Sequence, residues 1–140
     1  MIPRDLSIDD IKVGDSASFE RSFSEEDVNG FARLSGDLNP LHTDEAYAKT
    51  TKFKHRIIHG MLVGSLCSAL VGMHIPGKRC LYLSQSLDFR KPVLIGDKLT
   101  VNGIIRSKSV SARMIEIEIT VKKGSGEAVL NGIAKVQVLP

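Results

Sequence analysis

Residues Gly60–His74 constrain the fold more than any other part of the chain. Met61, Leu62, Val63, Leu66, Cys67, Leu70, Val71 and Met73 place apolar side chains nearly all round a helix that Gly60 opens and Pro76-Gly77 ends. Such a helix cannot lie on a surface with one wet face and has to be enclosed. A bilayer is excluded as the enclosure. The helix spans only about 22 Å at about 1.5 Å per residue, short of the roughly 30 Å of a hydrocarbon core, and His59, Ser65, Ser68 and His74 interrupt the apolar run. Protein must surround it, and the small residues Gly64, Ser65, Ser68, Ala69 and Gly72 predict that strands pack close against it.

The C-terminal half of the chain supplies that cover. After Gly77 the apolar period switches to two, and Leu81–Arg90, Lys98–Lys108, Ala112–Lys123 and Ala128–Leu139 read as four strands. Ile115, Ile117, Ile119 and Val121 alternate with Glu116, Glu118, Thr120 and Lys122, the pattern of a half-buried antiparallel sheet. Gly124-Ser125-Gly126 predicts a hairpin turn between the last two strands. Upstream, a short strand is expected around Ala17–Phe23. After it comes a helix, capped by Ser24 with Asp27 three residues on and stopped by Gly36. A polar loop from Asp37 to His42 and a short helix from about Asp44 to Thr50 complete the elements. No repeat and no Pro/Gly/Ser-rich linker divides residues 1–140, so one domain is expected, of α+β class, with an antiparallel sheet wrapped around a long central helix.

Composition narrows the function. The chain has 140 residues, 42% hydrophobic and 25% charged, which excludes a disordered tail, a collagen-like fibre and a disulfide scaffold. Cys67 and Cys80 are too few for a secreted framework or a structural zinc site and read as free thiols of a reducing compartment. No apolar run stands behind a basic flank at the N-terminus. The expected location is the cytoplasm, or the mitochondrial matrix if a transit peptide has been removed. The net charge of +3 hides an asymmetry: residues 1–47 carry 11 acids and 4 bases, and residues 48–140 carry 5 acids and 15 bases. A basic C-terminal part fits a phosphorylated cofactor or an acidic carrier protein, and solvated lysines account for it equally well. Nucleic acid is not expected, because tryptophan is absent and aromatics are 5%.

Three features bear on chemistry. Gly72-Met73-His74-Ile75-Pro76-Gly77-Lys78 imitates a phosphate loop, but Arg79 stands where Ser or Thr must hold magnesium, and the stretch ends a helix rather than opening one. Asp37-Leu38-Asn39-Pro40-Leu41-His42 gathers a carboxylate, a carboxamide and an imidazole beside a proline that no helix continues through. Asp37 and His42 together can position and deprotonate a water, with Asn39 fixing the imidazole or a loop carbonyl. Asp-x-Asn-Pro is also good turn chemistry, so the residues alone leave a catalytic pair and a capped turn both open. At His59-Gly60, a helix N-terminus offers free backbone N–H groups where a carbonyl oxygen can approach. Asp37, His42, Asp44, His55, His59 and His74 are potential ligands, but no His-x-x-x-His pair shares a helix, and no metal is expected.

The run Phe31-Ala32-Arg33-Leu34-Ser35-Gly36-Asp37-Leu38-Asn39-Pro40-Leu41-His42-Thr43-Asp44 resembles the hydratase motif of the MaoC-like hot-dog family, and within it the bacterial (R)-specific enoyl-CoA hydratases. The likeness continues through Ile58-His59-Gly60-Met61-Leu62 and Leu81–Val93 to the closing strand. It implies a hot-dog fold and a homodimer joined sheet edge to sheet edge. Residue by residue, it implies Asp37 and His42 as the catalytic pair, Asn39 as a supporting polar group, and the Gly60 N–H as the donor to a thioester carbonyl. Ser68, Val71 and Val136 match positions lining an acyl pocket. The implied reaction is reversible hydration of trans-2-enoyl-CoA to (R)-3-hydroxyacyl-CoA. It requires no cofactor beyond the coenzyme A of the substrate. Three alternatives stand beside it: a 3-hydroxyacyl-[acyl carrier protein] dehydratase, a hot-dog thioesterase, and a non-catalytic acyl-CoA binding module. Lys78, Arg79, Arg90, Lys91 and Lys98 can meet either CoA phosphates or an acidic carrier.

Overall fold

A computed structural model describes residues 1–140. The alternating segments form one antiparallel sheet from β1 (Ser16–Arg21), β2 (Cys80–Gln85), β3 (Asp88–Phe89), β4 (Leu99–Ser109), β5 (Met114–Lys123) and β6 (Ala128–Val138), in the order β1-β4-β5-β6-β2 with β3 also on β6. Period-two burial sets the register. Val101 lies opposite Val121, Ile117 opposite Ala134 and Ile115 opposite Val136, so these side chains share the inner face. The turn at Gly124-Ser125-Gly126 closes as expected, with Gly126 N–H donating to Lys123 O.

Helix α4 (Gly60–Ala69), continued by a wider π-turn over Leu70–His74, lies against that face. Leu62, Val63, Leu66, Cys67, Leu70 and Val71 enter one core with the inner residues of β4, β5 and β6. No helix is long and apolar enough to cross a membrane. The arrangement is the α+β hot-dog architecture, a sheet curled around a helix. The enclosure is incomplete, however. Met61, Ser65 and Ser68 stand exposed on one face of α4, with Met61 60% accessible. Of the small residues expected against strands, these two serines face outward instead.

Two other expectations are corrected. The segment 81–90 is not one strand: β2 ends at Gln85 and β3 resumes at Asp88. Between them Ser86 turns its N–H onto Ile133 O, and its hydroxyl accepts from Ile133 N–H. Its carbonyl sits where a side chain on Gly132 would stand, 1.9 Å from an ideal Cβ. The second correction is that the loop after Asp37 contains a helical turn, α2 (Pro40–Thr43), succeeded by α3 (Glu45–Lys49). α2 packs against both α3 and α1 (Glu25–Ser35), and Phe31 and His42 meet His59 at the start of α4.

Candidate active site

The acidic member of the pair is placed by a helix end. Ser24 caps α1 through a reciprocal capping box with Asp27: Ser24 N–H donates to the Asp27 carboxylate at 2.9 Å, and Asp27 N–H donates to Ser24 Oγ at 3.1 Å. At the other end Gly36 adopts φ +83°, returning its N–H to Ala32 O and reversing the chain direction. Asp37 comes immediately after. Its carboxylate accepts from Asn39 N–H at 3.2 Å, and the Asn39 side chain accepts from Leu41 N–H at 3.0 Å, capping α2 with Pro40 at its first position. Asn39 therefore supports the site through the backbone that carries His42, without touching the imidazole.

His42 Nδ1 lies 2.7 Å from Ile57 O. A carbonyl only accepts, so Nδ1 carries a proton, and in the neutral ring Nε2 presents a lone pair. Beneath His42 stacks His59, with ring centroids 3.9 Å apart, planes inclined by 25°, and Phe31 edge-on to His59. His59 is 2% exposed, and its Nε2–H donates to Asp37 O at 3.0 Å, with an Asp37 carboxylate oxygen 3.9 Å away. Its Nδ1 is buried without a partner. Asp37, His42 and His59 each bring a polar atom within 4.8 Å of the others. That spacing also suits a metal, but stacked rings do not both aim a nitrogen at one ion at the metal–imidazole bond length of about 2.0–2.1 Å, and two of the nitrogens already donate to carbonyls.

Segment 57–58 is laid onto the core by Ile58 N–H donating to Val93 O at 2.8 Å. That contact aims Gly60 at a cavity of about 470 Å³. His42 and Gly60 border the cavity, and Phe53, Met61, Phe89 and Val129 give it apolar walls. As the first residue of α4, Gly60 has an N–H with no acceptor inside the helix. The Phe89 ring lies over it so closely that a Cβ at position 60 would stand 2.9 Å from the ring. Asp37, its side chain 53% exposed, does not line the cavity itself and lies beside His42 and His59.

The structure thus brings Asp37, His42, Asn39 and Gly60 together. It sets the three acyl-pocket candidates elsewhere. Ser68 lines a second cleft farther along α4, with Phe31, Tyr82 and Leu87, while Val71 and Val136 are fully buried in the core and border neither opening. Of the five cations, Arg90 and Lys91 reach the first cavity. Lys78 and Arg79 pair with Asp5, and Lys98 with Glu20.

Two residues matter here that the sequence pattern did not assign. His59 was visible only as a helix-start residue and a possible ligand. Arg56 gave no signal, because an arginine is expected in solvent. These are the two buried polar or charged side chains of the protein, Arg56 at 5% exposure. The Arg56 guanidinium donates to His42 O, Glu25 and Asn29. Next to it, Arg56 N–H and the His55 ring hold the Glu45 carboxyl below its usual range.

A family model described as a MaoC like domain matches residues 10–126. The chain belongs to the MaoC-like family. Among MaoC-like relatives, a protein of Rhodospirillum rubrum named (R)-specific enoyl-CoA hydratase is 42% identical over 130 residues, covering 93% of this chain and 90% of the relative. A mitochondrial 3-hydroxyacyl-[acyl-carrier-protein] dehydratase of Arabidopsis thaliana is 37% identical over 141 residues, covering 93% and 84%. The R-hydratase PhaJ1 of Pseudomonas aeruginosa, solved in its unliganded form, superposes with a TM-score of 0.93 at 37% identity, covering 98% of this chain and 88% of that one.

Proposed function

We propose that the protein is a hydro-lyase that reversibly adds water to trans-2-enoyl-CoA, giving (R)-3-hydroxyacyl-CoA. One observation carries this reading: the Asp37 carboxylate comes within 4.8 Å of the His42 imidazole, and His42 and Gly60 border the same cavity. With its Nδ1–H engaged, His42 offers Nε2 as an acceptor, and Asp37 offers a second acceptor. A water donating one hydrogen to each presents its lone pair to a carbon in the cavity. As that oxygen bonds to the β-carbon, one O–H bond breaks and its proton passes to Asp37. Electron density moves onto the thioester oxygen, where the Gly60 N–H meets it; one such donor is worth about 3–4 kcal/mol in acyl chemistry. The proton returns from Asp37 to the α-carbon on the same face, which makes the addition syn. The reaction is redox-neutral and its proton transfers are made by side chains, so the proposal includes no cofactor apart from the substrate's coenzyme A.

Asp37→Asn and His42→Ala are expected to lower crotonyl-CoA hydration by roughly 10²–10⁴-fold with unchanged circular dichroism. Full activity in both variants overturns the assignment of the pair, whereas acyl-CoA binding without turnover in the wild type points to a non-catalytic binding module. Release of free thiol without hydration points to a thioesterase.

The carrier-protein alternative has its own support. Arg90 and Lys91 at the cavity rim suit CoA phosphates or an acidic carrier, and the Arabidopsis relative carries the carrier in its name. Parallel kinetics on both thioesters decide between them. We assign the CoA substrate on the hydratase relative, and a large preference for the carrier-bound chain reverses that assignment. We also propose a soluble location, cytoplasm or mitochondrial matrix, and a homodimer across the free edge of β2. Leu81 and Leu83 are about half exposed on that edge strand, which suits the approach of a second copy.

A further inference from the structure

We propose that Arg56 is a positioning residue whose buried guanidinium sets the placement of His42 relative to Asp37 by tying α1, α2 and the segment entering α4 into one unit. Its catalytic consequence rests on the hydratase reading.

A single helical turn such as α2 does not persist alone, because nucleation fixes several residues for one hydrogen bond. Its start is capped by Asn39; its end needs carbonyls satisfied from outside. Residues 56 and 57 supply what is missing. Ile57 N–H donates to Leu41 O at 3.3 Å, and Arg56 Nε–H donates to His42 O at 2.5 Å. Ile57 O in turn receives the His42 Nδ1–H. Two adjacent residues therefore hold both the backbone and the ring of His42.

The other arms of the guanidinium reach α1. One terminal nitrogen donates to Glu25 at 2.9 Å and the other to Asn29 at 2.6 Å. The far end of α1 is the Gly36 reversal that delivers Asp37. Arg56 is the one side chain whose hydrogen bonds join α1, whose end delivers Asp37, to α2, which carries His42. The planar fork matters as well as the charge, since three acceptors on two helices are met from one rigid group. Lysine offers a single centre and cannot span them.

The test compares Arg56→Lys and Arg56→Met with the wild type by steady-state kinetics on crotonyl-CoA, thermal melting, and ¹⁵N NMR of the His42 ring. Displacing a reacting group by an ångström costs about 10²-fold. The expected result is a kcat reduced roughly 10- to 100-fold in both variants, with KM changed far less. Methylguanidine in the millimolar range is expected to recover part of the kcat in Arg56→Met. The His42 signals, a single Nδ1–H tautomer in the wild type, become a tautomer mixture. A lowered melting temperature with unchanged kcat and an unchanged His42 tautomer overturns the proposal, leaving Arg56 as a structural tie only. If Arg56→Met does not fold, the double variant Glu25→Ala/Asn29→Ala removes the α1 acceptors from their more exposed side and is judged on the same two readouts. A wild type that fails to hydrate enoyl-CoA refutes the proposed function, while the His42 tautomer still decides the role of Arg56.

Discussion

His59 shows how a residue can serve the site without offering a group to the substrate. Its ring supports His42 from below, and its Nε2–H holds the backbone carbonyl of Asp37, while its buried Nδ1 has no partner. A buried polar atom that no protein group meets costs about 1–3 kcal/mol. His59→Phe keeps the stacked ring and removes the orphan, but it releases the Asp37 carbonyl. The expected outcome is an unchanged or raised melting temperature with kcat lower by about tenfold; a kcat equal to wild type denies His59 any influence on the pair. Another buried group governs alkaline stability. Burial pushes the Cys67 thiol up to about 11 from an ordinary value of 9.0. Its unfolded form thus loses its proton first, so its stabilising contribution is whole below pH 9 and disappears as pH rises from 9 toward 11. The loss is on the order of 2 kcal/mol. Burial raises Tyr82 in the same sense, adding to the loss above pH 10. Urea midpoints taken across this range should fall, and Cys67→Val should flatten the fall; identical slopes in both proteins refute the account. At this scale the placing of Asp37, His42 and Gly60 was legible, because the Gly36 stop, the Asn39-Pro40 cap and the helix start at Gly60 are local features; the roles proposed for them came with the family resemblance. Arg56 was not legible, since its burial arises from helices that converge only in the folded chain.

Elements were legible where they are governed by local rules. The capping box of α1, its glycine stop and the alternation along β5 need only near neighbours in sequence, and all appear where the pattern placed them. The break between β2 and β3 has another origin. Leu81–Arg90 alternates well enough to continue as one strand, but Ser86 is drawn over β6 at a glycine, and nothing within the segment announces that. The α2 turn was missed for a related reason, as Asp37–His42 reads as loop until Asn39, Ile57 and Arg56 are seen holding it. Gly132→Ala tests the first of these. Its Cβ would sit 1.9 Å from Ser86 O, a backbone atom that cannot rotate aside. Forcing the corner outward should cost roughly 1–3 kcal/mol and raise amide exchange at Ser86 and Ile133, two residues whose hydrogen bonds define it. Wild-type stability in the variant shows that the corner gives way freely and that the β2–β3 break has another cause.

At the scale of the molecule, the demand of the central helix is met only in part by one chain. Its sequence calls for cover all round, yet Met61 is left 60% exposed above an open cleft, and the nearby edge of β2 presents Leu81 and Leu83. Solvated backbone groups along such an edge pair readily with another strand. Two copies meeting at β2 about a two-fold axis extend both sheets and bring each edge toward the uncovered face of the other's helix. The charge asymmetry does not oppose this, since part of it is already neutralised within the chain by the pairing of Asp5 with Lys78 and Arg79 and of Glu20 with Lys98. The consequence is measurable. Wild-type protein should sediment at micromolar concentration with twice the mass of the chain. Leu83→Asp puts a charge where the partner's strand must approach, on a side chain that the single chain leaves half exposed. It should shift the protein to the monomeric mass while leaving its circular dichroism unchanged. A wild type that sediments as a monomer removes the edge pairing and leaves the exposed face of α4 without an occupant. A Leu83→Asp protein that stays dimeric moves the contact away from β2.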